Sequence, residues 1–299
     1  MDSVPYAFCD AVSSTLRDFS AFKEFCSTYE RRVWAAAVEG RDAIRLRVFI
    51  GGAVRQNAMR WSCQIISDDR RSKQFTLQEL QQMIARTVCI TRLELRSVIK
   101  TRNTCTFEEI IEVAKIIVPF VNLAELHVAN GGVEIAKRNR LEILSLFSGC
   151  SFWKIFIENW RPYPENVLGT TVVEFLSVQM RSELLKSLHV EDDERSDEFQ
   201  AAFEEFVLTK PFENIVARHT KLQLRKSCFE QLLEKPLEGK ELLLIAPLSF
   251  TFDDFRSFKK ESQLPTNKYN TIIWSREDGV RINVSSYYNW VEVAFGQMD

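Results

Sequence analysis

The side chains best suited to chemistry in this chain are three histidines, His127, His189 and His219, and seven cysteines, Cys9, Cys26, Cys63, Cys89, Cys105, Cys150 and Cys228. A metal centre needs three or four such ligands converging on one point, usually supplied as closely spaced pairs. The cysteines are scattered and never form a CxxC pair, and no histidine has a ligand partner at a spacing that recurs elsewhere. The glycine-rich phosphate loop, the GxGxxG turn and the GxSxG nucleophile elbow are all missing. The cysteines sit at apolar positions without basic neighbours in sequence, the setting of inert core thiols rather than activated nucleophiles. The expectation is a protein without a cofactor, a metal or catalytic residues, working through its surface and not as an enzyme.

The two histidines His127 and His189 stand at one register of a recurring pattern. An apolar residue is followed by two others, an apolar residue, one other, and an apolar residue. It occurs at Ile90, Leu93 and Leu95, at Leu123, Leu126 and Val128, and at Leu141, Leu144 and Leu146. It returns at Phe152, Ile155 and Ile157 and at Leu185, Leu188 and Val190, with a weaker copy at Leu222 and Leu224. Val128 follows Leu95 by 33 residues, and Val190 follows Ile157 by 33. Helical stretches fit between the copies. Thr106 and Glu109 form a capping box ahead of a helix to Ile117, and residues 170–187 and 196–208 read as two more. LxxLxL is the strand half of a leucine-rich repeat, in which each strand buries its apolar side under a helix and units stack because none can bury its face alone. An ordinary α/β sheet is the alternative.

In that arrangement the strands ending at Leu95, Val128, Ile157 and Val190 are parallel neighbours. Glu94, His127, Phe156 and His189 lie between their last two apolar residues and point outward on one shared face. This is the expected target-binding surface, since aromatic anchors dominate interface energetics. The loops at 130–132 and 191–198 would rim it.

The flanking regions differ. Ile44 to Ile50 alternates as a strand, with Gly51-Gly52 expected to end it, and Trp61 to Ile66 reads as a second strand. Thr76 can cap a helix from Leu77. Near the end, residues 271–274 and 280–284 alternate across Asp278-Gly279, a hairpin signal, and residues 290–295 supply a third strand. At the start, Val4, Phe8, Val12 and Leu16 share one helical face, and Phe19, Phe22, Phe25, Cys26 and Tyr29 follow at helical spacing.

Residues 4–38 resemble the F-box, the helical motif that docks a substrate receptor onto the Skp-type adaptor of a cullin-type ubiquitin ligase. Val4-Pro5 matches the opening Leu-Pro of that motif. Asp18, Phe19, Phe22, Phe25, Cys26 and Tyr29 keep the spacing of its second half, with Phe at the aliphatic positions and Ser27 at the basic one. The layout is similar to the F-box families expanded in nematodes, which join a degenerate F-box to an irregular strand–helix region and a C-terminal segment with an Asp-Gly hairpin. The resemblance implies substrate recruitment for ubiquitination, with Pro5, Phe8, Leu16, Phe22 and Phe25 contacting the adaptor. The alternative is a leucine-rich-repeat-like interaction scaffold with no ubiquitin link.

The expected fold is therefore α/β: a three-helix F-box-like unit over 1–40, an irregular leucine-rich-repeat-like stack over 41–265, and an antiparallel hairpin cap over 266–299. The composition fits a folded protein of this size, at 45% hydrophobic and 27% charged residues. A net charge of -2 gives no general attraction to nucleic acid. No apolar run approaches the roughly 20 residues that cross a bilayer, and Met1 to Pro5 does not open a secretory leader. The expected partners are the adaptor and an unknown target protein, with no nucleic acid and no membrane, in the cytoplasm or nucleus. Reduced thiols belong with that setting. Titration of the denatured, non-reduced protein with a thiol reagent should therefore count all seven cysteines, and a count lower by two or more would place disulfides in the chain.

Overall fold

The computed structural model describes residues 44–55, 58–68, 73–82, 88–97, 104–129, 134–160, 168–192, 197–217, 222–235, 242–250, 271–275, 280–287 and 290–297. The helical unit expected over 1–40, with its adaptor residues Pro5, Phe8, Leu16, Phe22 and Phe25, lies outside them, as does His219. The described residues fall into two compact units. The first ends at Glu125 and includes Gly149–Ser151; the second comprises Leu126–Ser148 and the chain from Phe152 onward.

The first unit opens with β1 (Ile44–Arg55) and β2 (Ala58–Ser67), followed by β3 (Gln74–Phe75), α1 (Leu77–Gln82), β4 (Val88–Arg96) and α2 (Phe107–Ile117). The beginning of β5 (Val121–Ala129) completes it. β1 pairs antiparallel with β2 from Leu46↔Ser67 to Arg55↔Ala58, and parallel with β4. Leu46, Val48 and Ile50 alternate into the core with Ile90, Leu93 and Leu95 of β4. Ile110, Ala114 and Ile117 of α2 are buried along one helical face. Both helices start from capping boxes. Thr106 Oγ1 accepts from Glu109 N at 3.3 Å while Thr106 N donates to Glu109 Oε2 at 2.7 Å, and Thr76 and Glu79 repeat the exchange on α1.

Gly51-Gly52 does not end β1. The strand runs on to Arg55 because Gly52 faces Trp61 directly across the ladder. The buried indole lies against the bare glycine, so that an added Cβ would stand 2.7 Å from its ring carbons and from Met59 Cε. Trp61 also exchanges both backbone hydrogen bonds with Cys105, at 3.0 and 2.8 Å, and its ring sits 5.6 Å from Phe107. The glycine that reads as a breaker is thus the floor of the largest side chain in this core.

The second unit takes the rest of β5, then α3 (Glu134–Leu146), β6 (Ser151–Trp160), α4 (Leu168–Met180), β7 (Ser187–Asp192), α5 (Asp197–Thr209), β8 (Asn214–Ala217), α6 (Lys226–Glu234) and β9 (Leu242–Ala246). It closes with β10 (Thr271–Ser275), β11 (Val280–Tyr287) and β12 (Trp290–Gln297). β6, β7, β8 and β9 pair in parallel. Each crossover carries a helix, and α3 with α4, α4 with α5, and α5 with α6 pack as neighbours. Crossovers of one hand between sequential strands put such helices on one side of the sheet. Ile155, Ile157, Leu188, Val190, Ile215 and Leu244 are buried at alternating positions, together with Phe203, Phe206 and Phe229 of the helices.

A polar clamp ties α5 to the chain entering α6. Gln200 Nε2 donates to Gln223 O at 2.6 Å and Gln223 N returns a bond to Gln200 Oε1 at 3.0 Å. Arg225 Nε reaches both oxygens of the buried Glu204, at 2.7 and 2.8 Å. Lys235 Nζ donates to Val207 O and Lys210 O, satisfying carbonyls at the end of α5.

These residues overturn the expected fold class. They form a mixed α/β fold of twelve strands and six α-helices, and a sheet that joins parallel strands to the antiparallel pairs β1–β2, β10–β11 and β11–β12 is not a leucine-rich-repeat-like stack. The recurring pattern has several local causes. Leu141, Leu144 and Leu146 belong to α3, where a spacing of three also serves one helical face. In β4 the gap between Ile90 and Leu93 holds a bulge, with Leu46 opposite Ile90 but Arg47 opposite Arg92. In β5 Leu123 has φ 55, and the buried residues step from Val121 to Ala124, then to Leu126 and Val128. Leu185 precedes β7 altogether. The hairpin β10–β11 expected across Asp278-Gly279 is present, and β12 pairs antiparallel with both β11 and β9, so these strands extend the sheet of the second unit at its end.

Two substitutions check this account. Gly52→Ala should lower stability by about 1–3 kcal/mol, the usual cost of forcing atoms into a filled core, read as a lower urea midpoint with an unchanged slope. Leu123→Gly should be at least as stable as Leu123→Ala, reversing the ordinary strand preference, because a left-handed residue with a Cβ costs about 1–2 kcal/mol.

Candidate interaction surface

The parallel pairing of β6 and β7 sets Phe156 directly opposite His189. Their rings lie 4.1 Å apart between centroids at 41°. On the other side His127 of β5 stacks on Phe156 at 5.4 Å and 30°. These separations bracket the roughly 4.8 Å between neighbouring strands, so the ladder spacing itself brings the rings into contact. All three side chains are half-buried, while the residues flanking them in sequence, Leu126, Val128, Ile155, Ile157, Leu188 and Val190, are buried. The rings thus stand on the face of the second unit opposite its apolar positions, the side away from its helices.

His189 has a further partner. Its Nε2 lies 3.3 Å from Glu191 Oε1, with the two side chains 20% and 25% exposed. Glu191 follows at the spacing of two that keeps strand side chains on one face. The sequence reading placed Glu191 in a rim loop; its strand spacing from His189 was the available signal. The register continues the row from His189 to Val216 and Ile245, which are 7% and 4% exposed. A second row alongside it consists of Lys154, Ser187 and Asn214.

Glu94 belongs to the first unit and has a different character. It is 7% exposed and ion-paired to Arg96 and, at 3.9 Å, to Arg92. Arg92 Nε donates in turn to Glu125 Oε2 at 2.9 Å, and the Arg96 guanidinium lies 4.5 Å over the ring of Phe49. A carboxylate held this way between two cations is a structural tie before it is a contact residue. Arg92, Glu94 and Arg96 alternate in sequence, which marks one face of one strand, but the partner Glu125 is 31 positions beyond Glu94 and its role depends on pairing.

Of the sequence-expected target residues, then, the structure joins His127, Phe156 and His189 in one contiguous stack and holds Glu94 in a separate ion-pair cluster. Among the described residues no group of three or more His, Cys, Asp or Glu is placed to hold a metal ion, and no helix is long and apolar enough to cross a membrane. The described cysteines are free thiols. Burial pushes Cys63 up to about 12, with Cys105 beside it adding to the shift, and burial likewise pushes Cys228 up to about 12 and Cys150 up to about 11. These thiols stay protonated at neutral pH and are poor nucleophiles. Compared with known proteins, the sequence matches no family model and no curated protein.

If the ring contacts are energetically real, Phe156 and His189 are coupled. A double-mutant cycle with Phe156→Ala and His189→Ala should give a coupling of about 0.5–1.5 kcal/mol in unfolding free energy; strictly additive losses would reduce the stack to incidental proximity.

Proposed function

We propose that the chain is a protein-binding module, an F-box-like substrate receptor that presents a target to a cullin-type ubiquitin ligase. The observation that carries the binding role is the His127–Phe156–His189 stack, three rings in contact on the face of a sheet whose other face is buried. Rings already held by their neighbours have little rotamer freedom left to lose, so a partner that covers them gains aromatic contact area at a small entropic cost. The half-buried edges offer both apolar surface and imidazole nitrogens, a mixture suited to protein recognition.

The link to ubiquitin rests on the resemblance of residues 4–38 to the F-box. In this reading Pro5, Phe8, Leu16, Phe22 and Phe25 contact the adaptor, and the sheet face of the second unit holds the target. The deciding experiment is a pull-down of the full chain with purified Skp-type adaptor. Wild type and Phe156→Ala should both be retained, whereas a chain carrying Phe8→Ala and Phe22→Ala should be lost with its melting temperature nearly unchanged. Failure of the wild-type chain to bind removes the ubiquitin link and leaves a binding module alone. A large fall in melting temperature for the double variant would assign Phe8 and Phe22 to a core.

A further inference from the structure

We draw no further inference here: the strongest candidate, the row in which Val216 of β8 and Ile245 of β9 extend the His127–Phe156–His189 face toward Glu292 of β12, carries nothing because nothing in the structure shows what covers these two buried side chains.

Discussion

Strand alternation is the constraint on which the rest of this structure depends. A strand covered on one side must send every second residue into the core, and a slip of one residue reverses the assignment for everything that follows. The chain uses that slip. In β5 the buried positions Val121 and Ala124 are three apart, with Leu123 at φ 55 between them. Beyond this point Leu126 and Val128 are buried, and Glu125 and His127 are turned to the other side. Without the irregular residue the phase carried forward from Val121 would bury Glu125 and His127. β4 makes a comparable adjustment at the shift between Ile90 and Arg92, after which Leu93 and Leu95 are inward. A bulge in β4 and a left-handed residue in β5 therefore decide which side chains these two strands present.

Once the phase is set, packing on the inward side follows from volume. In the first unit Trp61 fills the centre only because Gly52 opposite it has no side chain. In the second unit the aromatic content is spent on the helix side, where Phe199, Phe203 and Phe206 of α5 and Phe229 of α6 are each at most 1% exposed. Burying one such ring is worth about 1.5–3 kcal/mol, and each is held by tertiary contacts more than by the short helix that carries it. Where polar groups enter this layer they are paired. Glu204 is buried but bound by Arg225, and Gln200 completes both hydrogen-bonding groups of Gln223. That pairing avoids the heavy cost of an uncompensated buried charge and fixes how the chain enters α6.

The outward side has a different economy. Strands at their ordinary separation bring rings within reach, so Phe156 meets its parallel partner His189, and His127 stacks on Phe156 from the other side. In the first unit the same geometry holds charges, with Arg92, Glu94 and Arg96 on alternating positions of β4 and Glu125 on β5. The ring stack of the second unit and the ion-pair cluster of the first each follow from residue type at alternating strand positions.

Much of the local structure was legible in the residues. Alternation marked β1, β2, β10 and β11, the Thr106–Glu109 box marked the start of α2, and the shared position of His127, Phe156 and His189 between apolar neighbours marked them as facing away from the core. Those features depend on neighbours a few residues apart, and short-range geometry is what sequence encodes directly. The repeat reading failed because a spacing of three then two is met by a bulged strand, by a strand with its preceding loop, and by a helix; Leu141, Leu144 and Leu146 in α3 look the same in sequence as Ile90, Leu93 and Leu95 in β4. Tertiary pairing alone decided that β1 runs through Gly52, since the reason is a tryptophan on another strand. It likewise decided that Arg92 reaches Glu125 and that β12 joins β9. Each of these depends on which strand lies alongside, and hydrogen-bond pairing between distant segments leaves no periodic trace in the chain that makes it.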